Sequence, residues 1–329
     1  MNQSLLKTAS EVVSKLNPKH YMTYFRNFYI KHGFLKTAVL IYMVLCLLYM
    51  VLKHYGLWFK KDVKNKHVFI TGAGSGIGRQ MAKMLAKLRC KVTVSDINFD
   101  AAKKTAKMIE NTAGKVVAVK LDVTSIEDIH NAHETAKAKF GKVDILINNA
   151  GIVSGKYVDE LSKQNIDSTF MVNTISHFYM VKEFLPSMLE NNDGHIVTIS
   201  SASCTVGVPK MTDYVASKFA AFGFDESLRV ELKKRGTNIK TTCICPFYIN
   251  TGMFEGAKTR ISFLLPIVEE EWAAKRIIHA ILQEEQAVFM PFIVNFNFLT
   301  RAILPVSWFD AFQNLIGTRS SMDDFKGRS

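Results

Sequence analysis

Two residues of the sequence have types and a spacing suited to proton transfer, Tyr214 and Lys218 in the stretch YVASK. Four positions separate them, so on a helix both side chains share one face. An ammonium group beside a phenol favours the phenolate, whose unperturbed pKa near 10 is otherwise too high for proton removal at neutral pH. Solvated aromatic–lysine pairs have the same spacing, so the rest of the chain must distinguish a catalytic pair from a surface pair.

A glycine-rich turn lies where a dinucleotide site is expected. The apolar run HVFIT leads directly into TGAGSGIG, which covers residues 71–78. Its glycines allow a tight turn from a strand into a helix and let backbone N–H groups approach a pyrophosphate. Such turns are weak evidence alone, but this one joins the first predicted strand to the first predicted helix. The predicted cofactor contacts in this turn are Thr71, Gly72, Ser75, Gly76, Ile77 and Gly78.

An acidic residue follows at the end of the second predicted strand, and it bears on the choice of cofactor. Asp96 lies 18 residues past Gly78. A carboxylate there accepts the ribose hydroxyls of adenosine and repels a 2′-phosphate. A site for NADP needs a cation nearby, and neither Ser75 nor Ile97 is basic. Arg79, just inside the helix, is the one residue that could reach a phosphate, so the sequence favours NAD over NADP.

Alternating strands and helices follow from residue 67 onward. Short runs rich in Val and Ile predict strands at 67–71, 91–95, 115–121, 144–148, 195–200, 240–245 and 287–291. Helical windows lie between them at 76–88, 99–112, 125–139, 160–190, 211–235 and 269–284. Strands with little alternation are typical of a sheet covered on both faces. The pattern predicts an α/β fold, a doubly wound Rossmann-type parallel seven-stranded sheet with helices on both faces.

Composition limits the classes of function. The 329 residues carry a net charge of +13, but residues 1–66 hold 11 Lys and Arg against two acidic residues. The basic excess therefore surrounds one apolar segment, which argues against nucleic-acid binding. The five cysteines are odd in number and include no C-x-x-C, as expected in a reducing compartment. No spacing suggests a metal site.

The apolar segment predicts a membrane anchor. Residues 37–52 carry no charge, and the hydrophobic stretch extends over 34–52. Sixteen helical residues cover roughly 24 Å, slightly less than a hydrocarbon core of about 30 Å. A buried core helix and a cleaved signal peptide are the alternatives, and a spanning helix and one lying in a single leaflet both stay open. Residues 1–33 fit either an amphipathic surface helix or a disordered tail.

The chain is therefore divided at residue 60. Residues 1–60 are predicted to form the N-terminal amphipathic segment and membrane-anchor helix, and residues 61–329 the α/β domain. An apolar extension is predicted from about residue 287, because residues 287–300 carry no charge. Prolines at 291 and 305 argue against a regular spanning helix there. Membrane contact or an apolar portal is as good an interpretation of this extension as dimer packing.

The combined motifs resemble the short-chain dehydrogenase/reductase superfamily. The resemblance covers about residues 66–290 and includes T-G-x-x-x-G-x-G, NNAG at 148–151, and a serine thirteen residues before Y-x-x-x-K. The stretches NNAGIVSGK, YVASKFAAFGF and IKTTCICPFYINTGMFEG resemble its membrane-associated branch, which holds epidermal retinol dehydrogenases and 17β-hydroxysteroid dehydrogenases of types 11 and 13.

The resemblance implies a catalytic role for four residues. Tyr214 would be the general acid/base, and Lys218 would supply positive charge and bind the nicotinamide ribose. Ser201 would hydrogen-bond the reacting oxygen. Asn173 would hold a water that links Lys218 to solvent. Taken singly, a serine or asparagine at such a place is usually a cap or turn residue.

The resemblance also implies further cofactor and substrate contacts. Beyond the glycine turn and Asp96, the cofactor contacts would be Asp122, Val123, Asn149, Ala150, Gly151, Tyr214, Lys218, Pro246, Ile249 and Thr251. Asp122 fits equally well as part of a helix N-cap region before Ser125. The substrate contacts would be Ser201, Tyr214, Phe247 and Phe254. Core packing is a comparable interpretation of each phenylalanine, but together they favour a lipid alcohol over a sugar or acid.

Three hypotheses of function follow. The leading one is a membrane-associated NAD-dependent oxidoreductase of a hydrophobic alcohol, retinol-like, converting all-trans-retinol to retinal. The second is a 17β-hydroxysteroid or other lipid alcohol/carbonyl oxidoreductase. The third is a lipid-droplet or membrane interaction protein with little turnover. The expected location is the endoplasmic reticulum membrane or the lipid droplet, with the catalytic domain facing the cytosol. The resemblance implies a dimer or a tetramer, and a homodimer is the predicted partner.

Overall fold

The computed structural model describes residues 18–54, 60–112 and 114–327, and the chain divides into two compact units, 1–59 and 60–329. The first unit contains one long helix, α1 (Pro18–His54), which includes the predicted hydrophobic stretch 34–52. Apolar side chains in this stretch, such as Phe34 and Leu40, are exposed. Within the described ranges, no helix is apolar over enough of its length to cross a membrane. The predicted amphipathic pattern before Pro18 lies outside the described residues.

The second unit is built on one parallel sheet of seven strands. The strands are β1 (His67–Ile70), β2 (Lys91–Asp96), β3 (Lys115–Lys120), β4 (Ile145–Asn148), β5 (His195–Ile199), β6 (Lys240–Pro246) and β7 (Ala287–Met290). Their order across the sheet is β3-β2-β1-β4-β5-β6-β7. Every adjacent pair is parallel. On the two sides of β1, His67 lies opposite Lys91 of β2 and Val68 lies opposite Ile145 of β4. The predicted doubly wound sheet is confirmed.

Helices connect the strands and cover the sheet. They are α2 (Gly76–Lys87), α3 (Phe99–Glu110), α4 (Ile126–Phe140), α5 (Lys163–Phe170), α6 (Ser176–Glu190), α7 (Thr212–Lys234), α8 (Glu270–Leu282), α9 (Phe296–Ile303) and α10 (Val306–Leu315). Short 3₁₀ turns lie at Ala202–Thr205, Gly252–Phe254, Phe292–Asn295 and Thr318–Ser320. Ser125 caps α4, since its hydroxyl accepts a hydrogen bond from the Asp128 N–H at 3.1 Å.

Alternate residues of the strands enter two separate cores. Val68 and Ile70 of β1 pack in one cluster with residues of α2, α3 and α8. Phe69, between them, packs in the other cluster with residues of α4, α6 and α7. Because both faces of each central strand are buried, the strands lack polar alternation, as the sequence pattern indicates. The helices therefore cover both faces and bring the carboxyl ends of the strands to one edge.

The long helical window predicted at 160–190 is interrupted in the structure. Between α5 and α6 the backbone forms a π-helical segment, Met171–Ile175, with Asn173 at its centre. The Asn173 side chain accepts a hydrogen bond from the Ile152 N–H at 2.9 Å and donates to the Ile152 carbonyl at 2.9 Å. It also donates to the Ser217 hydroxyl at 3.0 Å. These three contacts account for a wider turn at this position, since they tie the segment to α7 and to the loop after β4.

Candidate active site

One cavity of about 630 Å³ lies at the carboxyl ends of the strands. Its walls are formed by the turn after β1, the ends of β4, β5 and β6, the start of α7 and the chain beyond β7. In an open parallel sheet this edge is the usual place for a ligand, because adjacent connections diverge there.

The glycine turn leaves no room for side chains at its core. A Cβ at Gly78 would lie 2.4 Å from the Gly72 carbonyl oxygen and 2.6 Å from Asn149 Nδ2. Gly72 and Gly76 have φ of +63° and +53°, a backbone region in which glycine is favoured. The turn therefore brings bare backbone to the wall of the cavity at the N-terminus of α2. This is a cradle suited to a pyrophosphate.

Asn149 and Thr71 hold this cradle against the end of β4. Asn149 Nδ2 donates to the carbonyls of Thr71 and Gly72 at 2.8 and 3.1 Å. The Thr71 hydroxyl accepts hydrogen bonds from the N–H groups of Asn149 and Ala150 at 2.9 and 3.0 Å. Thr71 is buried and lies behind the cavity wall, whereas Asn149, Ala150 and Gly151 line it. The structure thus gives Thr71 a supporting position.

Asp96 faces the adenosine end of the cavity. Its two carboxylate oxygens accept hydrogen bonds from the N–H groups of Gly74 and Asn98, both at 2.9 Å, which fixes the orientation of the side chain. Arg79 also lines the cavity, but its guanidinium donates to the Gly74 carbonyl and to the Thr105 hydroxyl. The Arg79 guanidinium is therefore already hydrogen-bonded within the protein, and Asp96 is an acidic side chain that lines the cavity next to the glycine turn.

The sequence left two interpretations of Asp122 open, a cofactor contact and a part of the N-cap region of the next helix. Asp122 lines the cavity together with Val123 at the end of β3. One of its carboxylate oxygens also accepts hydrogen bonds from the N–H and hydroxyl of Thr124, at 2.9 and 2.7 Å. Asp122 therefore has a local role in the turn before α4 and also lines the cavity, so its predicted cofactor contact stays a prediction.

Tyr214 and Ser201 meet in the middle of the cavity. Ser201 follows β5, and its hydroxyl accepts a hydrogen bond from the Ser203 N–H at 3.2 Å and lies 3.5 Å from the Pro246 carbonyl oxygen. Tyr214 is only 4% exposed, and its ring packs edge-to-face on Phe254 with 5.8 Å between ring centroids. Burial raises the pKa of Tyr214 above the ordinary value of a phenol, and the neighbouring Ser201 side chain opposes that shift in part.

Lys218 lies one turn further along α7 and lines the same cavity. Its ammonium donates to the Ile199 carbonyl at 2.9 Å and lies 5.7 Å from the centroid of the Tyr214 ring. Burial lowers the pKa of Lys218 to about 8. The two groups do share a helix face, but burial opposes the charged form of both, so the phenolate is not favoured by this pair alone.

Asn173 lies behind Lys218 rather than in the wall of the cavity. Its side chain is fully buried, and both its oxygen and its nitrogen are hydrogen-bonded to Ile152. Ser217, which neighbours Lys218 on α7, accepts the remaining contact. The side chain therefore connects the loop after β4 with the helix that carries Tyr214 and Lys218.

The far end of the cavity is apolar and comes largely from residues that the sequence did not indicate. Phe247 and Phe254 line it as predicted, with Pro246, Ile249 and Thr251 nearer the cofactor end. The segment beyond β7 supplies the other wall, and its lining residues are Ile293, Val294, Phe296, Asn297, Thr300, Phe312, Gln313, Ile316, Gly317, Thr318 and Ser321. The uncharged stretch 287–300 signalled that this segment is apolar but not which surface it covers.

Known proteins are similar to this chain in sequence and fold. A family model described as short chain dehydrogenase matches residues 66–261. Epidermal retinol dehydrogenase 2 of Mus musculus is 41% identical over 271 residues, covering 82% of this chain and 88% of the relative. Estradiol 17-beta-dehydrogenase 11 of Homo sapiens is 40% identical over 247 residues, covering 75% and 81%. The solved short chain dehydrogenase/reductase of Burkholderia phymatum in complex with NAD has a TM-score of 0.67 at 27% identity, covering 74% of this chain and 95% of that chain.

Proposed function

This chain belongs to the short-chain dehydrogenase family, and we propose that it is an NAD-dependent oxidoreductase of a hydrophobic alcohol. The observation that carries the proposal is a single cavity with three successive parts. A backbone cradle with Asp96 lies at one end, Ser201, Tyr214 and Lys218 in the middle, and an apolar wall at the other end. A cofactor on the cradle and an alcohol against the apolar wall would meet beside Tyr214.

The proposed chemistry assigns proton transfer to the protein. Bound NAD⁺ supplies a hydride acceptor and a positive charge beside the phenol. Ser201 holds the alcohol oxygen, and Tyr214 takes its proton. Because burial alone raises the pKa of Tyr214, its ionised form depends on positive charge in the loaded site, part of which comes from Lys218. Asn173 acts by position, since it fixes Ile152 and Ser217 around Lys218.

Retinol is the leading substrate, and a hydroxysteroid is the alternative. Both are apolar alcohols of a size suited to a cavity of about 630 Å³ that is shared with the cofactor. The two similar relatives are named for these two substrate classes and have nearly equal identity to this chain. A lipid-surface protein with little turnover is opposed by the intact Ser201, Tyr214 and Lys218 arrangement.

The purified full-length protein in detergent tests the proposal. NADH formation is followed by absorbance with all-trans-retinol, estradiol and a straight-chain alcohol, each with NAD⁺ and with NADP⁺. We expect retinol oxidation to retinal with NAD⁺, and at least about tenfold lower kcat/KM with NADP⁺ because Asp96 repels a 2′-phosphate. Tight NADH binding without turnover of any alcohol would instead support the interaction protein.

We also propose that residues 1–60 attach the protein to the endoplasmic reticulum membrane or the lipid droplet, with the catalytic unit facing the cytosol. The support is the run of exposed apolar side chains along α1, for which water is an unfavourable solvent. Deleting residues 1–60 should move the protein from the membrane pellet to the supernatant. Replacing residues 1–17 alone is the control, and unchanged pelleting of the longer deletion would assign attachment to the C-terminal segment.

A homodimer is the proposed assembly, by resemblance to the family. Exposed apolar side chains on α6 and α7, Phe178 and Val230, offer a surface for it. Light scattering of the detergent-solubilised protein should give twice the mass of one chain. The Phe178→Glu variant should give the mass of a single chain.

A further inference from the structure

A carboxylate from α8 lines the cavity beside the glycine turn. Glu270 belongs to the first turn of α8 and is partly buried, and it is one of the residues that line the cavity. The Gln80 side chain of α2 donates to Glu270 Oε2 in a long hydrogen bond of 3.4 Å. The segment that the family model matches ends at residue 261, before Glu270. The proton transfer proposed above does not involve this carboxylate.

Packing places the start of α8 against the first turns of α2. Ile77 of α2 packs against a small apolar cluster that includes Ala273 of α8. Gln80 follows Gly76 of the glycine turn by four residues, so the two share one face of α2. Glu270 therefore lies near the N-terminus of α2. This is the positive end of the helix dipole, where the cofactor pyrophosphate is expected.

The charge of Glu270 is not balanced by an ion pair. Within residues 60–112 and 114–327, no cationic side chain forms an ion pair with Glu270. Its neighbour Glu271 pairs instead with Lys275 at 2.7 Å, which lowers the pKa of Glu271, and Lys87 and Lys83 of α2 contribute to that shift. The nearby lysines thus act on the carboxylate that faces away from the cavity wall.

The cation beside the glycine turn is also engaged within the protein. Arg79 lines the cavity there, but its guanidinium donates to the Gly74 carbonyl and the Thr105 hydroxyl. The phosphates of a bound cofactor therefore depend mainly on backbone N–H groups for their stabilisation. The carboxylate of Glu270 opposes that stabilisation, because like charges repel one another more strongly where protein excludes water.

We propose that Glu270 repels the pyrophosphate of the bound cofactor and thereby speeds the release of NADH. This role rests on the proposed function, since it requires a dinucleotide on the glycine turn. Two anionic groups then share the positive end of α2, which raises the free energy of the complex relative to the free protein. The cofactor end combines a backbone cradle that attracts the phosphates with one side chain that limits how tightly they bind.

Glu270→Gln tests this role, because it removes the charge and keeps the size of the side chain. Kd for NADH is measured by fluorescence titration of the full-length protein in detergent, and the dissociation rate by stopped flow. We expect the variant to bind NADH about fivefold more tightly at low ionic strength, with a correspondingly slower dissociation. In about 1 M KCl, where the Debye length is about 3 Å, the two Kd values should approach each other.

Two fragments of the cofactor distinguish an effect on the phosphates from an effect on the rest of the site. ADP-ribose carries the pyrophosphate, whereas adenosine carries no phosphate. Glu270→Gln should tighten the binding of ADP-ribose as much as that of NADH and leave the Kd of adenosine unchanged. Glu269→Gln is the matched control, because Glu269 is an exposed carboxylate that accepts from Asn250 Nδ2 at 3.3 Å and is not among the lining residues. Its Kd for NADH should stay within about twofold of the wild type.

Equal NADH affinity of Glu270→Gln and the wild type at low ionic strength would overturn the proposal. Weaker binding by the variant would also overturn it, because the carboxylate would then support the cofactor or the start of α8. Glu270→Ala is a second variant for which the same tightening is expected. Absence of NADH binding by the wild-type protein would contradict both the proposed function and this role, whereas NADH binding with an unchanged Kd in both variants contradicts the role of Glu270 alone.

Discussion

The two ends of the cavity are built in different ways. The cofactor end consists of backbone and short side chains from consecutive strand ends, with glycines at 72, 76 and 78. The substrate end consists mainly of side chains from separate stretches of chain, which include Phe247, Phe254, Leu264, Leu265 and the lining residues within 293–321. The first end depends on local geometry within each strand–turn–helix unit. The second depends on where distant segments happen to pack.

This contrast explains how the same fold can keep one cofactor and change its substrate. A backbone cradle tolerates almost no variation, because any side chain at Gly78 meets the carbonyl of Gly72. A wall of side chains from the C-terminal segment can change residue by residue without moving the sheet. Tyr214 and Ser201 lie at the junction, so their removal should affect chemistry while leaving both ends able to bind.

The largest expected effect is therefore at the junction. Tyr214→Phe should lower kcat for alcohol oxidation by about 1000-fold, because the variant has no group to accept the proton. Kd for NADH should change by less than about threefold. Both quantities are measured on the detergent-solubilised enzyme, by absorbance and by fluorescence of bound NADH.

Tyr248→Phe is the matched control, since Tyr248 is also a buried tyrosine but donates or accepts its hydrogen bond at Ser321, 3.0 Å away. Its kcat should stay within about threefold of the wild type. A Tyr214→Phe enzyme with normal kcat would remove the assignment of the general base, and a large loss of NADH affinity would show that the junction is part of the cofactor end.

The next effect concerns helix α7, which carries the junction and is shared by both ends. Burial raises the pKa of Asp225 on this helix to about 7, and interactions with Thr198, Thr241 and Arg229 lower it only in part, while Glu226 raises it slightly. The folded state therefore keeps the proton at pH values where the unfolded chain has released it. The folded state loses stability as pH rises from about 4 to 7, and the full penalty is present above pH 7.

Asp225→Asn should remove that penalty. We expect the variant to exceed the wild type in free energy of unfolding by on the order of 3 kcal/mol at pH 8 and by little at pH 4, measured by denaturant titration. Glu226→Gln is the control, because Glu226 is exposed and the variant keeps Asp225, so its stability should fall between pH 4 and 8 as that of the wild type does. A difference that stays constant between pH 4 and 8 would contradict the shifted pKa of Asp225.

A third effect is confined to the cofactor end. Gly78→Ala forces a Cβ to within 2.4 Å of the Gly72 carbonyl oxygen, so the turn must move and Kd for NADH should rise about thirtyfold. Gly252→Ala is the control, because a Cβ there has no atom within 4 Å although Gly252 also lines the cavity. Equal NADH affinity in the two variants would show that the cradle is as tolerant as the substrate end.

The sequence predicted these two ends unequally, for a physical reason. The glycine turn and Asp96 follow from a local strand–turn–helix pattern, whereas Asn149 was implied by the resemblance to the family, and these residues line the cavity. The split of the helix at Asn173 and the supporting position of Thr71 depend on contacts with Ile152, Ser217 and the end of β4, which no local pattern contains. The substrate end depends on tertiary packing of the segment after β7. The sequence indicated that this segment is apolar, but it did not indicate that the segment forms part of the cavity wall.

The smallest expected effect tests whether Phe325, which does not line the cavity, helps to hold the substrate end. Residues 321–326 lie next to the loop 255–258. The Lys326 N–H donates to the Glu255 carbonyl, and the Lys258 N–H donates to the Ser321 carbonyl, both at 2.9 Å. The ring of Phe325 occupies the space that a side chain at Gly155 would need. Phe325→Ala removes this packing and should raise KM for a hydrophobic alcohol about fivefold while leaving Kd for NADH unchanged.

Lys326→Ala provides the control for that experiment, because Lys326 contacts the loop through its backbone and its side chain is exposed. An unchanged KM in Phe325→Ala would mean that the substrate end is set by its lining residues alone. A matching rise in Kd for NADH would mean that the two ends are coupled through the loop after β4, where Gly155 follows the cofactor residue Gly151 by only four positions. The expected selective rise in KM would instead show that residues outside the cavity can change substrate binding while NADH binding at the glycine turn stays the same.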